Sequence, residues 1–385
     1  MDHNKPILPE ALEAYARDNW APFHMPGHKR NLSLLGGNGL PWHLDITELP
    51  GFDNLSDPRS ILLDLSHRAA AHWNAAAAWI SVNGGTGAVL AGIRAMTKPG
   101  DTVLAARNCH LSVFHAMELC GLRPVFLEPE WLPAWGIYAA LSQRTLDEAL
   151  LAHPEAALCI VTSPTYEGIL SPLDCPIPLF VDAAHGAHLP PPQADLVAVS
   201  LHKTLPALTQ TALLLARSPA ADREKIARAM RAFQTSSPSY VLLASVARCL
   251  DLLESHQTEW FAAWHARLDE FYAHARRWRN LQLFDAPHDR GKLLLRCHAE
   301  HAAAFLRARK IEPEYARRNL LLLMNSCCDT DESMARLTAA LDDLDAHCPP
   351  APQPVPRPSS LPKNFIVNPS AWLVEYPPGI PVYKG

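Results

Sequence analysis

The sequence predicts an α/β protein whose mainly parallel sheet is covered by helices on both faces, followed by a smaller α+β domain. The first observation behind this prediction is that short apolar runs alternate with helical segments between Ile61 and Leu215. The second is that runs such as Leu196–Val199 are apolar, partly β-branched and as short as buried strands. The third is a long helical region after residue 238, which precedes further strands and helices.

Four regions are expected along the 385 residues, a length that allows one large domain and a smaller one. They are a polar N-terminal arm over 1–60, a large α/β domain over 61–238, a linker helix with a small α+β domain over 239–348, and a proline-rich connector with a C-terminal segment over 349–385. The arm is punctuated by glycine and proline and contains one predicted helix, Pro9–Trp20.

The large domain is predicted to alternate strands and helices. Its predicted helices are Ser66–Ala78, Ala88–Met96 and His110–Cys120. Its predicted strands are Trp79–Val82, Thr102–Ala105, Pro124–Leu127, Leu158–Thr162, Leu179–Val181, Leu196–Val199 and Thr211–Leu215. Ligands of such sheets bind beyond the carboxyl ends of the strands, so the residues that follow each strand are the candidates for function.

The small domain is predicted from a long helix and two strand–helix pairs. Ser236-Ser237-Pro238-Ser239 precedes the helix as its cap, and apolar residues recur along the helix at a spacing that favours a core role. Those residues are Leu253, Trp260, Trp264, Leu268, Phe271 and Ala275. The pairs that follow consist of the strands Lys292–Cys297 and Asn319–Met324 and the helices Glu300–Lys310 and Asp331–His347.

Composition and charge exclude several classes of function. A net charge of −5 gives no electrostatic basis for binding nucleic acid or a membrane surface. The N-terminus lacks the apolar core of a signal peptide and no run reaches membrane-spanning length, so we expect a cytoplasmic protein. The nine cysteines lack paired CxxC spacing and are expected to be reduced. The nineteen histidines lack a convincing set of partner ligands, so no metal site is expected.

Lys203 is the first candidate for chemistry. It ends the short polar turn Ser200-Leu201-His202-Lys203, which lies between two predicted buried strands. A lysine so placed is poorly solvated, and a desolvated lysine can form a Schiff base with a carbonyl compound. The alternative is an ordinary loop lysine, and this stretch alone does not decide between the two.

Other polar residues follow the neighbouring predicted strands. Gly84-Gly85-Thr86-Gly87 follows one strand and opens a helix, where free backbone N–H groups can hold a phosphate, although its spacing matches neither a P-loop nor a dinucleotide fingerprint. Asp182 follows a second strand and precedes the lysine by ~20 residues, the length of one strand–loop unit. His110 follows a third strand.

Pyridoxal 5'-phosphate requires this combination of groups. A lysine carries the cofactor, a carboxylate pairs with its pyridine nitrogen, and a helix N-terminus accepts its phosphate. The His110 ring is the candidate to stack on one face of the pyridine, and the small Ala184 is the candidate to pack on the other. The sequence therefore predicts a pyridoxal-phosphate protein.

Eight motifs make the chain resemble the Orn/Lys/Arg decarboxylase family of fold-type-I pyridoxal-phosphate enzymes, in particular its shorter bacterial members. They are FHMPGHKR, DITELPGFDNL, RNCHLSV, VTSPTYEG, VDAAHGAH, SLHKTLPALTQTA, TSSPSYVLLAS and EYPPGIP. They extend from about residue 22 to residue 381, and the first and sixth are the most specific. The resemblance implies a large domain of the fold-type-I transferase kind.

The resemblance also implies roles for particular residues. Lys203 becomes the Schiff-base lysine, Asp182 the partner of the pyridine nitrogen and His110 the stacking ring. The phosphate contacts become Ser200 and Gly85-Thr86-Gly87, and the residues beside the cofactor become His185 and His202. Residues Thr235-Ser236-Ser237 of such enzymes face the neighbouring subunit's phosphate, so a homodimer or higher oligomer is expected.

Three positions depart from the family's pattern, namely Gly85, Leu111 and Ala183. Gly85 replaces a hydroxyl residue of the phosphate loop, which predicts a lower affinity for the cofactor. Leu111 stands where a lysine often follows the stacking histidine, and Ala183 where a glutamate is common. The sequence also ends at Val382–Gly385, where the family continues beyond the YPPGIP turn.

The predicted activity is decarboxylation of a basic amino acid, either ornithine, lysine or arginine, to an amine of the kind used in polyamine biosynthesis. One alternative is an aminotransferase or another amino-acid lyase, because one fold supports many chemistries. Another is a catalytically degenerate homologue that acts through a protein partner. The acidic residues Asp45, Glu48, Asp53 and Asp57 have two interpretations, which are turn and helix capping or binding of the substrate's distal cation.

Overall fold

The computed structural model describes residues 7–18 and 39–352, together with Pro26 and Pro354. The FHMPGHKR and EYPPGIP motifs lie wholly or almost wholly outside the described residues, as does most of the proline-rich connector. Contacts within the chain divide it into two compact units. The first unit comprises the described parts of Met1–Thr97 and Gly186–Ser255, and the second those of Lys98–His185 and His256–Gly385.

The first unit contains three adjacent strands in the order β1-β9-β8. Both outer strands pair antiparallel with the central one and are therefore parallel to each other. The strands are β1 (Ala77–Ser81), β8 (Leu196–Ser200) and β9 (Ala212–Ala216). The helices are α1 (Leu8–Arg17), α2 (Ile61–His72), α3 (Gly84–Met96), α6 (Leu201–Thr204), α7 (Arg223–Phe233) and the N-terminal part of α8 (Tyr240–Ala275).

The second unit contains a parallel sheet of four strands in the order β7-β6-β2-β3, an antiparallel sheet in the order β10-β11-β13-β12, and the hairpin β4-β5. The strands are β2 (Thr102–Ala106), β3 (Arg123–Leu127), β4 (Trp131–Leu132), β5 (Ile137–Tyr138), β6 (Leu158–Thr162), β7 (Leu179–Asp182), β10 (Gln282–Leu283), β11 (Lys292–Arg296), β12 (Tyr315–Arg317) and β13 (Leu320–Met324). The helices are α4 (Leu111–Leu119), α5 (Gln143–Ala152), α9 (Ala299–Ala308), α10 (Asp331–His347) and the C-terminal part of α8.

Burial explains why these strands were recognisable from sequence. Every residue of β2, β6, β8 and β9 is buried, as expected where helices cover both faces of a sheet and the strands read as continuous apolar runs. The predicted strand Leu158–Thr162 is confirmed without change, and most others shift by one residue or two. The α/β class and the α+β character of the C-terminal part are confirmed.

The predicted helix Ser66–Ala78 is wrong at both ends. Helix α2 begins at Ile61 and ends at His72, and the alanines Ala77 and Ala78 belong to β1 instead. Alanine favours helices, but pairing with β9 gives these backbone groups strand partners, and tertiary context overrides propensity. Three further helices, α5, α6 and α7, were not predicted.

The long helix α8 confirms the interpretation of its apolar residues as core. The Ser239 hydroxyl accepts a hydrogen bond from the Leu242 N–H at 3.4 Å and caps the start of the helix. Trp264, Leu268 and Phe271 are buried in the core of the second unit. Trp260 is only partly buried and packs against that core. Among the described residues, no helix combines the length and apolar character that a bilayer crossing requires.

Asp53 caps α2, as the capping interpretation predicted. Its carboxylate accepts hydrogen bonds from the backbone N–H groups of Asn54, Arg59, Ser60 and Leu62, at 2.7–3.2 Å. Burial by itself raises the pKa of this carboxyl, but the four donors outweigh burial and hold the pKa below its usual value. Asp53 therefore acts as a structural residue of the first unit.

We expect Asp53→Asn to destabilise the protein by about 1 kcal/mol at pH 7, because the amide keeps the turn geometry and loses the charge and one acceptor. The pKa is lower in the folded protein, so this stability is fully present above the unfolded pKa of about 4. It disappears as the pH falls through the folded pKa. Urea unfolding of wild type and variant at several pH values measures it. The control is Asp57→Asn, whose exposed pairing with Arg59 contributes little. An equal effect of both variants at pH 7 would contradict the prediction.

Candidate active site

Lys203 lies on the short helix α6, directly after β8. The predicted turn is thus a single helical turn. The N–H of its first residue, Leu201, donates a hydrogen bond to the Thr211 carbonyl at 3.0 Å. The Lys203 side chain is half-buried. His202 Nδ1 lies 3.0 Å from the Thr211 oxygen, and because a carbonyl only accepts, this nitrogen carries a proton. Burial lowers the pKa of His202, so its ring is neutral at pH 7.

The glycine segment follows β1 at the same edge of the three strands. Ala212 of β9 is opposite both Ser81, the last residue of β1, and Ser200, the last residue of β8. The carboxyl ends of β1 and β8 therefore lie on either side of the same residue, Ala212 of β9. Gly85, Thr86 and Gly87 lie in the first turn of α3, which begins four residues before the predicted start, so they are helical residues and not a loop.

The residues at the start of α3 differ in exposure. Asn83 precedes the helix without capping it through its side chain, and Thr86 is exposed. Gly87 is buried, and a Cβ there would lie 2.9 Å from Asn83 Cβ and 3.2 Å from Ser81 Oγ. Gly87 is therefore required by packing beside Ser81, whereas Gly85 and Thr86 are the positions open to a ligand.

Two buried hydroxyl groups beside Lys203 have no hydrogen-bond partner within the described ranges. They are Ser200 Oγ and Thr204 Oγ1, on residues that are 1 % and 5 % exposed. A buried polar group left without a partner costs about 1–3 kcal/mol, so such a group indicates a ligand. This fits the predicted phosphate contact of Ser200. Thr204 was missed by the sequence analysis, although its hydroxyl next to the lysine was a usable signal.

Asp182 ends β7 in the second unit and is 2 % exposed. Its Oδ1 accepts a hydrogen bond from the Ala184 N–H at 3.1 Å, and its carbonyl accepts one from the Ser163 N–H at 3.0 Å. Burial raises the pKa of the nearby Cys109 thiol to about 12, and the Asp182 charge contributes to this increase. Ala184 therefore fixes one oxygen of the carboxylate, in addition to its predicted packing role.

His110 follows β2, and its backbone contacts the end of the neighbouring strand β6. Its N–H donates to Thr162 Oγ1 at 3.4 Å, and Thr162 is the strand partner of Asp182 in β7. The Ser112 N–H donates to His110 Nδ1 at 3.1 Å, so the histidine caps α4 instead of forming part of it as predicted. The neutral His110 ring consequently carries its proton on Nε2. The ends of β2, β6 and β7 thus bring His110, Thr162 and Asp182 together.

His185 follows Asp182 by three residues and is 5 % exposed. Its ring contacts the Tyr166 ring edge-on, with centroids 4.7 Å apart. Its Nδ1 lies 3.1 Å from Lys292 Nζ. Burial raises the pKa of the Tyr166 phenol, which also donates a hydrogen bond to Glu314. Neither Tyr166 nor Lys292 was singled out as a site residue, although VTSPTYEG contains the tyrosine.

The acidic residues of the N-terminal arm differ in their surroundings. Asp53 is occupied by capping, and Asp57 pairs with Arg59 at 2.5 Å on the surface. Glu48 Oε1 is buried without a hydrogen-bond partner among the described residues. The Glu48 charge helps to raise the pKa of the Tyr240 phenol, after burial as the main cause. Glu48 is therefore the candidate of this group for contact with a substrate's cation.

The predicted site residues fall into two groups. The lysine group, in the first unit, comprises Gly85, Thr86, Gly87, Ser200, His202 and Lys203. The aspartate group, in the second unit, comprises His110, Asp182, Ala184 and His185. In the described ranges, His, Cys, Asp and Glu side chains do not form a cluster of three or more that could hold a metal ion.

The fold is that of the fold-type-I pyridoxal-phosphate enzymes. The lysine decarboxylase of Francisella novicida superimposes with a TM-score of 0.78 at 19% identity, over 89% of this chain and 60% of the other. This likeness concerns the fold alone. The sequence matches the Orn/Lys/Arg decarboxylase major domain over residues 6–263, more than half of its length. The chain therefore belongs to the Orn/Lys/Arg decarboxylase family.

Curated relatives are similar over part of their length. The uncharacterized protein YaaO of Bacillus subtilis is 37% identical over 266 residues, which is 63% of this chain and 55% of that protein. An arginine decarboxylase of Halalkalibacterium halodurans is 32% identical over 258 residues, or 60% of this chain and 52% of the enzyme. The chain thus spans about half the length of the curated relatives it matches.

Proposed function

We propose that this chain binds pyridoxal 5'-phosphate and decarboxylates a basic amino acid, either ornithine, lysine or arginine. The observation that carries the proposal is the buried Ser200 hydroxyl without a hydrogen-bond partner in the described part of the chain, at the end of the strand that precedes Lys203. A phosphate oxygen is the acceptor that such a hydroxyl requires. Membership of the family and the arginine decarboxylase among the relatives support the reaction.

Each site residue has a task in this proposal. Pyridoxal phosphate supplies an electron sink for bonds broken at the α carbon of an amino acid. Lys203 Nζ is the amine that would hold the cofactor covalently. The N–H groups at the start of α3, with Ser200, hold the phosphate. Asp182 keeps a proton on the pyridine nitrogen, and its orientation is fixed by the Ala184 N–H.

The rings of His110 and His202 are each held by a hydrogen bond. The His110 ring is held by Ser112 and is proposed to lie against one face of the cofactor. Ala184 is small enough to pack against the other face. His202 is neutral and hydrogen-bonded to Thr211, so it adds no charge beside Lys203. These proposed roles combine residues of the lysine group and of the aspartate group, and they are argued from the chemistry of the side chains.

A homodimer belongs to the same proposal. Thr235, Ser236 and Ser237 are exposed at the start of the segment before α8, which supports contact with a neighbouring subunit. The cytoplasmic location and the domain boundaries at 60, 238 and 348 stay predictions.

The test of the function is an assay of purified protein supplied with the cofactor. Carbon dioxide and amine are measured with ornithine, lysine and arginine in parallel, with leucine as the control. Release from one basic substrate and not from leucine is the expected result. Formation of a keto acid with pyruvate would indicate an aminotransferase. No turnover of any substrate, with the cofactor bound, would support the degenerate homologue.

We expect Glu48→Gln to raise KM for the basic amino acid roughly 10- to 100-fold, because a charged hydrogen bond to the distal cation contributes about 1.5–3 kcal/mol. Cofactor affinity should stay unchanged, since Glu48 carries no role in holding it. Steady-state kinetics and absorbance titration with pyridoxal phosphate measure the two quantities. The control is Asp57→Asn, in the same arm. An unchanged KM in the glutamine variant would exclude Glu48 as the cation's partner.

A further inference from the structure

A buried lysine contacts His185 in the second unit. Lys292 is 1 % exposed, and its Nζ lies 3.1 Å from His185 Nδ1, across 107 positions of sequence. Fully buried lysines are rare unless they are paired with another group. Such a residue costs free energy to bury, so its presence in the core points to a task.

The surroundings of Lys292 hold its side chain in place. The residues Asp289–Lys292 form a turn, in which the Lys292 N–H donates to the Asp289 carbonyl at 3.0 Å. The Asp289 N–H in turn donates to the Gly168 carbonyl at 2.8 Å. A Cβ on Gly168 would lie 2.8 Å from Lys292 Cγ, so glycine is required there for the lysine stem to pass. Gly168 also has a φ of +86°, which favours glycine.

The hydrogen bond determines the state of the imidazole. As an ammonium, Lys292 has three donors and no acceptor, and in that state Nδ1 accepts the hydrogen bond from Nζ. The proton of the neutral ring then lies on Nε2. A second proton at Nδ1 would face the ammonium directly and is disfavoured by the like charge.

We propose that Lys292 is a positioning residue that holds His185 neutral, as the Nε2–H tautomer and in one ring orientation. The inference rests on the proposed function only in giving His185 a place beside the cofactor. A neutral His185 offers one N–H donor to a substrate carboxylate or cofactor oxygen, and never an excess positive charge. The Tyr166 ring completes the arrangement by contacting the imidazole edge-on.

The charged groups around His185 are compatible with this state. Lys292 faces Nδ1, and the Tyr166 phenol, whose pKa is raised by burial, stays neutral. Behind that phenol, Glu314 accepts its hydrogen bond. Other titratable neighbours are Asp182 on the preceding strand, Asp289 and His288 in the turn that carries Lys292, and Glu167 and Tyr315 beside Tyr166. Of these groups, Lys292 and Tyr166 contact the imidazole directly.

The experiment is nitrogen NMR of the full-length chain labelled with ¹⁵N-histidine, with His185→Gln used to identify the signals. Wild type should show His185 as the Nε2–H tautomer, without titration between pH 6 and pH 9. Lys292→Met keeps the length of the side chain and removes its charge. In this variant the His185 ring should begin to take up its second proton at a pH about 1 unit or more above that of wild type. The exposed Lys225→Met is the control and should leave His185 unchanged.

A second variant covers the case in which Lys292→Met folds poorly. Gly168→Ala places a methyl group against the stem of Lys292 and should also disturb the tautomer, without removing the charge. Wild-type His185 observed as the Nδ1–H tautomer or as imidazolium would overturn the proposal, as would an unchanged signal in both variants. The NMR readout is independent of turnover, so a protein that fails to bind pyridoxal phosphate would contradict the proposed function and leave this test intact.

Discussion

Replacing Lys203 with alanine should abolish covalent capture of pyridoxal phosphate and lower decarboxylation on the order of 10³-fold or more. The amine is the group that forms the covalent link, and alanine offers no substitute for it. The variant should keep its fold, because the Lys203 side chain is half-buried and α6 retains its backbone bond to Thr211. Loosely bound cofactor is expected to remain, since the phosphate contacts are untouched.

Borohydride reduction followed by peptide mapping measures this prediction. In wild type the reduced pyridoxyl group should be found on the peptide that contains Lys203. The exposed Lys225→Met is the control and should give the same adduct as wild type. An adduct of equal yield in Lys203→Ala, or a wild-type protein that takes up no added cofactor, would refute the proposed role of this lysine.

Replacing Asp182 with asparagine should lower turnover on the order of 10²-fold or more, with the fold intact. The amide has nearly the shape of the carboxylate, and its oxygen can still accept the hydrogen bond from the Ala184 N–H. It carries no charge, however, and so cannot hold a proton on the pyridine nitrogen. The loss should appear in kcat, because the substrate's own contacts do not include this residue.

Steady-state kinetics and the melting temperature separate the two effects for Asp182→Asn. The control is Asp195→Asn, at a carboxylate next to β8 that bonds to Ser218 and has no proposed part in catalysis. Turnover of the Asp182 variant within a few-fold of wild type would show that protonation of the ring nitrogen does not drive the reaction. A collapse of the melting temperature would instead show a structural role for this buried side chain.

The sequence predicted the sheet well because its signal is local. Buried strands such as Leu158–Thr162 consist almost wholly of apolar residues, and this pattern is visible in the sequence without knowledge of the fold. The start of α3 was placed four residues late, because its glycines read as loop residues when their neighbours are unknown. The alanines Ala77 and Ala78 were assigned to a helix because only pairing with β9, more than 130 positions later, makes them a strand.

The candidate residues were selected from the sequence by their position at strand ends. Lys203 and His110 come shortly after a buried strand and Asp182 ends one, so spacing and residue type were enough to select them as candidates. Lys292 was not predictable, because its contact with His185 joins residues 107 positions apart and its own segment reads as an ordinary strand. The missing hydrogen-bond partners of Ser200 and Thr204 also become visible only when burial is known.

The placement of Ala212 between Ser81 and Ser200 has a consequence for how this protein can change in evolution. Two steps between neighbouring strands separate the ends of β1 and β8, a distance of about 10 Å that is set by backbone hydrogen bonds. Side-chain substitutions and loop insertions leave that distance unchanged, because no loop spans it. Substitutions in the surrounding loops therefore change the neighbourhood of the candidate site, while the spacing between the start of α3 and the helix that carries Lys203 stays fixed by the sheet.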